Sequence, residues 1–278
     1  PDGQIVRQTR RYFRYQSGKG IQVSLAINFC PKNPATSAYY WPYVDGSTIH
    51  RVLVSTKLPH NLEVGTQISF VDSADDAYNG TYPVAVVYNA FSFTINLDQA
   101  PTTSAASGFL GYHVLNWVNS NVRAGMYDFQ NGMYFEYDGS TLNAVRRSST
   151  TQLTGRVSVA KGSNIVTGSS TTFSAQVAAG EYVVIRGQSH KVIRVVNNQR
   201  MIIQPQYKGI TAENIILTKT INTKIPQGEW NHDKCDGTGP SGFILDITKI
   251  QMAYMDYSWY GAGKIRFGFK DQNGHVKY

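Results

Sequence analysis

The sequence predicts an all-β protein: a β-sandwich interrupted twice by small modules, each a β-barrel or a small sandwich. Three observations lead there. Apolar and polar side chains alternate at period two in several stretches, the mark of strands with one buried and one wet face. Turn dipeptides punctuate the chain at the short intervals of all-β folds. The composition, with 25 Gly and 18 Tyr in 278 residues, favours strands and turns. No window sustains the i, i+3, i+4 apolar spacing of an amphipathic helix, and no run approaches the ~18 apolar residues of a membrane span.

Taken in order, residues 1–20 are basic, with Arg7, Arg10, Arg11, Arg14 and Lys19 against Asp2. The mixture of Arg, Tyr and Phe there suits base stacking, but Tyr12, Arg14 and Gln16 alternate with Phe13 and Tyr15, so a strand with a basic wet face is the simpler reading. Ile21, Val23, Leu25, Ile27 and Phe29 then alternate with Gln22, Ser24, Ala26 and Asn28 in a half-buried strand. Lys32 to Gly46 reads as a loop rich in Pro and Tyr. Its Tyr39, Tyr40, Trp41 and Tyr43 are the candidate ligand-binding residues, since exposed aromatics bind sugars or partners. The plainer alternative is a loop that packs its rings inward.

An internal repeat follows. Gly65 and Gly180, 115 residues apart, each precede a strand, a turn, a second strand (Tyr82 to Val87; His190 to Val196), a turn and a third strand (Phe91 to Leu97; Arg200 to Gln204). The second unit opens earlier, with Arg156 to Val159 and Ser163 to Thr167. Residues 49–112 are therefore one inserted module, acidic at −3, and residues 155–218 another, basic at +5. The rest, 1–48, 113–154 and 219–278, makes one discontinuous sandwich. Insertions of this kind are tolerated because loop-closure entropy grows slowly with length.

Within that sandwich, Gln130-Asn131-Gly132 and Asp138-Gly139 mark hairpins joining Met126 to Phe129, Met133 to Tyr137 and Leu142 to Arg146. Ile250 to Tyr260 is apolar or aromatic on both faces, which predicts a strand covered on both sides. After Gly261-Ala262-Gly263, Ile265, Phe267 and Phe269 face one way and Lys264, Arg266, Gly268 and Lys270 the other. Asn273-Gly274 opens a further hairpin whose second arm has only begun at Tyr278, and Pro1 is not an initiator Met. The chain is expected to be a piece of a longer polypeptide.

The motifs of catalysis are missing from the sequence. No Gly-x-Ser-x-Gly, His-Glu-x-x-His or phosphate-binding Gly-Lys-Ser/Thr pattern occurs. Asp236-Gly237-Thr238 inverts the aspartic-protease order and has no second copy. The cluster from Asn231 to Asp236, and the Asp72, Asp75, Asp76 and Asn79 group, hold oxygen and sulfur ligands without metal-site spacing, so no metal and no cofactor is expected. Cys30 and Cys235 are expected as a reduced, buried pair. The net charge of +8 is split by the acidic module, which argues against one continuous nucleic-acid face.

Three segments carry a resemblance: RRYFRYQSGKGIQ from Arg10, RAGMYDFQNGMYFEYDGSTLNAVRRSS from Arg123, and WNHDKCDGTGPSGFILDITKIQMAYMDYSWYGAGKIRFGFKDQNGHVKY from Trp230. Together, about half the chain resembles large virion structural proteins, of tail or baseplate type, from contractile-tailed phages of marine bacteria. The two modules are similar to small β-domains inserted in phage tail and fibre proteins. The resemblance implies a non-enzymatic building block of a virion, located in the particle. Its expected partners are other virion subunits, with a homo-oligomer, guessed as a trimer, as the assembly and no nucleic acid or membrane involved. It also implies assembly surfaces, for which Arg11, Tyr12, Arg14, Trp259 and Tyr260 are the candidates. The alternatives are a host-surface polysaccharide recognition module of a tail fibre, or a tail protein that degrades such a polysaccharide. The latter needs two carboxylates roughly 5–10 Å apart in a groove.

Overall fold

Strand β1 (Ile21–Ile27) carries its alternation into space, with Ile21, Val23, Leu25 and Ile27 half-buried and Gln22, Ser24 and Ala26 exposed. The computed structural model describes residues 5–9, 19–42, 49–258 and 263–278. After β1 the chain enters a closed barrel. Its strands are β2 (Asn33–Pro42), β3 (His50–Thr56), β4 (Gln67–Ser73), β5 (Gly80–Asn89), β6 (Ser92–Leu97) and β7 (Gly108–Val114), in the order β2-β3-β6-β5-β4-β7. Register shifts in β2, β4 and β5 supply the extra twist that closing a small sheet demands.

Here the structure corrects two expectations. The stretch expected as a loop from Lys32 is strand β2, and the barrel accordingly begins near Asn33 rather than at residue 49. The prolines misled because they sit where a strand tolerates them: Pro34 near its start, and Pro42 as its last residue. Between them Ala38 and Tyr40 face the barrel core while Tyr39 and Trp41 face out, a strand's period of two.

The chain then forms β8 (Val122–Tyr127), β9 (Gly132–Tyr137) and β10 (Leu142–Gln152), joined by the expected hairpins. The second module follows as β11 (Arg156–Val159), β12 (Ile165–Ser169), the one-turn helix α1 (Phe173–Gln176), β13 (Tyr182–Ile185), β14 (Gln188–Asn197), β15 (Arg200–Gln204) and β16 (Ala212–Ile215). Strand β17 (Thr218–Pro226) returns between β13 and β10, so module and sandwich share one ten-stranded sheet, β16-β11-β12-β15-β14-β13-β17-β10-β9-β8. The second sheet of the sandwich is four-stranded, β1-β18-β19-β20, with β18 (Gln251–Ser258), β19 (Lys264–Lys270) and β20 (Val276–Lys277). Strand β18 is not covered on both sides as expected: Ala253 and Met255 are in the core, whereas Met252 on the opposite face is exposed.

The internal repeat is real in geometry. Gly65 and Gly180 both adopt positive φ, +87° and +92°, a conformation cheap only for glycine. Each donates its N–H to a valine carbonyl, Val84 at 2.8 Å and Val192 at 2.7 Å. Each valine N–H in turn donates to the residue after the glycine, Thr66 and Glu181. The same glycine-opened turn therefore starts both modules, although only the first closes into a barrel among the described residues.

Apolar burial gathers into three cores. The barrel packs Val52, Val54, Ile68, Phe70, Phe93 and Ile95; the second module packs Val157, Phe173, Val183, Ile185, Val192 and Met201. The sandwich core packs Phe29, Met133, Phe135, Ala253, Met255 and Phe269 from both sheets, which joins residues from the three separated segments. Phe135 is its centre, with ring centroids 4.4 Å from Phe269, 5.3 Å from Phe267 and 5.9 Å from Trp230.

Candidate functional site

Of the aromatic candidates, Tyr39 and Trp41 stand on the outer wall of the barrel, 55% and 53% exposed. Cross-strand pairing places Leu53 beside Tyr39 and Arg51 beside Trp41. They are held on a strand rather than a mobile loop, so their positions are fixed before any ligand arrives. Tyr40 does something different: it packs against the barrel core, and its hydroxyl lies 3.2 Å from His50 Nδ1. It ties the β2–β3 hairpin together and is not available as a binding platform. Tyr43 lies outside the described residues, as do the assembly candidates Arg11, Tyr12, Arg14, Trp259 and Tyr260.

The acidic cluster of the barrel does not converge on a common point. Asp72 pairs with Lys32. Asp75 caps the 3-10 turn at Asp76–Tyr78 through the Ala77 amide, and its other oxygen accepts from the amides and hydroxyls of Thr102 and Thr103. The Thr102 hydroxyl and the other donors hold the Asp75 carboxyl down to about 2. A carboxylate depressed in the folded state stabilises it above the unfolded pKa near 4, and that contribution is lost as pH falls through about 2. The 101–104 loop, which also receives the Tyr78 hydroxyl at Thr103 O, should therefore loosen between pH 4 and 2. Hydrogen exchange of the Thr102 and Thr103 amides across that range measures it; protection unchanged at pH 2 would refute the role.

The cysteines are free and buried. Burial first, then Asp246, pushes the Cys30 thiol up to about 11, and burial with Asp233 pushes Cys235 up to about 12. Thiols so raised are inert at neutral pH. Asp233, in the stretch with metal-ligand residue types, instead accepts from the Cys235 amide at 2.8 Å and the Ser241 amide at 2.9 Å, folding the loop from Asp236 to Gly242 over itself. Among the described residues no group of three or more His, Cys, Asp or Glu side chains could hold a metal.

Two charged sites escaped the sequence reading. On the outer face of the ten-stranded sheet, Glu136 is fully buried between Arg123 of β8 and Lys224 of β17, both ion-paired to it. Beside it Tyr134 lies under the guanidinium groups of Arg123 and Arg147, at 5.6 and 5.2 Å. On the outer face of the four-stranded sheet is a groove of about 250 Å³, lined by Gln22, Tyr254, Asp256, Ser258 and Arg266 among others. Arg266 forks onto Asp256, Nε to Oδ1 at 2.9 Å and Nη2 to Oδ2 at 2.8 Å, and the Tyr278 hydroxyl also donates to Oδ2 at 3.3 Å. The signal available in the sequence was the run of polar outward positions in β1, β18 and β19, but their alignment depends on strand pairing.

No protein-family model matches the chain, and no curated protein does. Among solved structures it is similar to the endosialidase of phage phi92, at 8% sequence identity and a TM-score of 0.20, over 91% of this chain and 40% of that one. The chain spans less than half of that protein's length, and at this TM-score the likeness carries no argument.

Proposed function

We propose that this chain is a non-enzymatic structural component of a phage virion, of the tail, baseplate or neck, built to hold a rigid sandwich within an assembly and to carry two β-modules on it. The resemblance of the sandwich segments to phage structural proteins supports the reading. The observation that carries it is the way carboxylates are used. Asp75, Glu136, Asp233, Asp246 and Asp256 each accept from turns, caps or cations of their own fold. A general acid or nucleophile needs acceptor capacity facing substrate. The groove beside Asp256 offers no second carboxylate among its described lining residues, where glycoside hydrolysis needs two. Light scattering coupled to size-exclusion chromatography, at two salt concentrations, tests the assembly. A homo-oligomer, expected as a trimer, at both concentrations supports it; a monomer at both overturns it for this chain.

A second reading is favoured by the exposure of Tyr39 and Trp41: recognition of a host-surface polysaccharide by the barrel wall. Aromatic rings fixed on a strand stack on sugar faces with little entropy left to lose. Screening on an array of immobilised polysaccharides should then give binding that Tyr39→Ala with Trp41→Ala removes, with about a tenfold loss. Binding undiminished in that double variant rejects the barrel wall as the contact.

A further inference from the structure

We infer that the groove on the outer face of the four-stranded sheet is a binding site for one unit of a neutral saccharide chain. Pairing aligns Gln22 of β1 with Asp256 of β18, and Asp256 with Arg266 of β19, so three polar side chains form a row across three strands. Neighbouring strands are ~5 Å apart, which sets the Gln22 carboxamide and the Arg266 guanidinium on the two strands flanking Asp256. Tyr254, two residues before Asp256 on β18, flanks the row on one side, with Tyr278 set edge-on against it at 6.0 Å. Ser258, two residues after Asp256, flanks it on the other side. A hydroxyl-rich ring with an apolar C–H face needs this mixture: an aromatic surface beside a line of hydrogen-bonding groups.

The row is also set in advance. Asp256 is only 14% exposed, and Arg266, 55% exposed, is held by its fork to Asp256 and by the Tyr278 ring, 4.6 Å from the guanidinium carbon. Arg266 is thus fixed while guanidinium N–H groups remain open to a ligand. Gln22 is exposed on β1. Gly268 lets this arrangement exist, since a Cβ there would lie 2.4 Å from the Lys277 carbonyl and push away the strand that brings Tyr278 over the sheet.

The chemistry selects among ligands. Asp256 neutralises Arg266, so the row has no net charge with which to attract a phosphate or an acidic sugar. The groove's ~250 Å³ falls below the ~300–1,000 Å³ of sites that engulf a drug-sized ligand, which fits a single unit of a longer chain. The site goes beyond the assembly reading. It shares a ligand class with the barrel wall but none of its residues, so variants separate the two.

The test uses the whole chain and saturation-transfer NMR, with neutral tetrasaccharides of glucose, galactose and N-acetylglucosamine as probes and sialyllactose as the anionic comparison. At least one neutral probe should bind saturably. Tyr254→Ala should weaken it about tenfold and Gln22→Ala about threefold. Gln22 is exposed, so its variant keeps the test valid if Tyr254→Ala disturbs the sheet. Tyr39→Ala with Trp41→Ala should leave this binding unchanged. The proposal is overturned if no neutral probe binds, if sialyllactose binds better than all of them, or if binding survives both groove variants.

Discussion

Replacing Phe135 by Ala should cost about 3–5 kcal/mol, and the loss should appear in the sandwich alone. Deleting a large aromatic from a packed core forfeits its transfer energy and leaves a cavity that neighbours fill only in part. Phe135 touches Phe29, Trp230, Phe267 and Phe269, so the cavity would open where the two sheets meet. For a domain whose total stability is about 5–15 kcal/mol this is a large share. The barrel core around Phe93 and the module core around Phe173 contain no member of the sandwich cluster. Hydrogen exchange followed peptide by peptide should show β9, β18 and β19 losing protection while β3 and β6 keep theirs. Phe93→Ala should do the reverse, loosening the barrel, where Phe93 meets Tyr112 and His60 edge-on. A uniform loss of protection in either variant would mean that the three cores unfold as one unit.

That separation explains how much of the fold could be read from the residues. Alternation is a local property, so β1 and β19 lay open in the sequence; turn dipeptides marked β9, and the repeat opened by Gly65 and Gly180 placed β15. Misreading β2 had a local cause too: prolines and clustered tyrosines imitate a loop, and only the pairing with β3 and β7 shows the strand. The merging of the basic module into the sandwich sheet was invisible, because it depends on β17 pairing with β13 and β10 at once. The candidate sites divide the same way. Tyr39 and Trp41 stood out as aromatics in one short run, whereas Gln22, Asp256 and Arg266 become neighbours only when β1 pairs with β18. Glu136 likewise meets Arg123 from the neighbouring strand and Lys224 from beyond β10, and nothing in its own segment marks it as buried.

Removing the Glu136 carboxylate should destabilise the sheet by about 3 kcal/mol, and replacing the whole ionic cluster should restore most of that. Glu136 is 0% exposed and faces Arg123 and Lys224, which are themselves 30% and 43% exposed. Taking one partner from a buried pair costs about 3–5 kcal/mol, because the remaining charges are left without compensation. Here the cations reach water and can resolvate in part, so Glu136→Ala should fall at the low end of that range. Glu136→Gln keeps the shape and removes only the charge, so it isolates the electrostatic share. In Arg123→Leu, Glu136→Met, Lys224→Leu combined, no charge is left unpaired, and such replacements are often neutral or stabilising. Denaturant titrations of the three variants decide the matter: recovery in the triple variant shows that the cost of Glu136→Ala lies in the uncompensated cations and not in the loss of a net-stabilising cluster. A triple variant as unstable as Glu136→Ala would show that Tyr134, packed under the Arg123 guanidinium, depends on that cation for its place in the sheet.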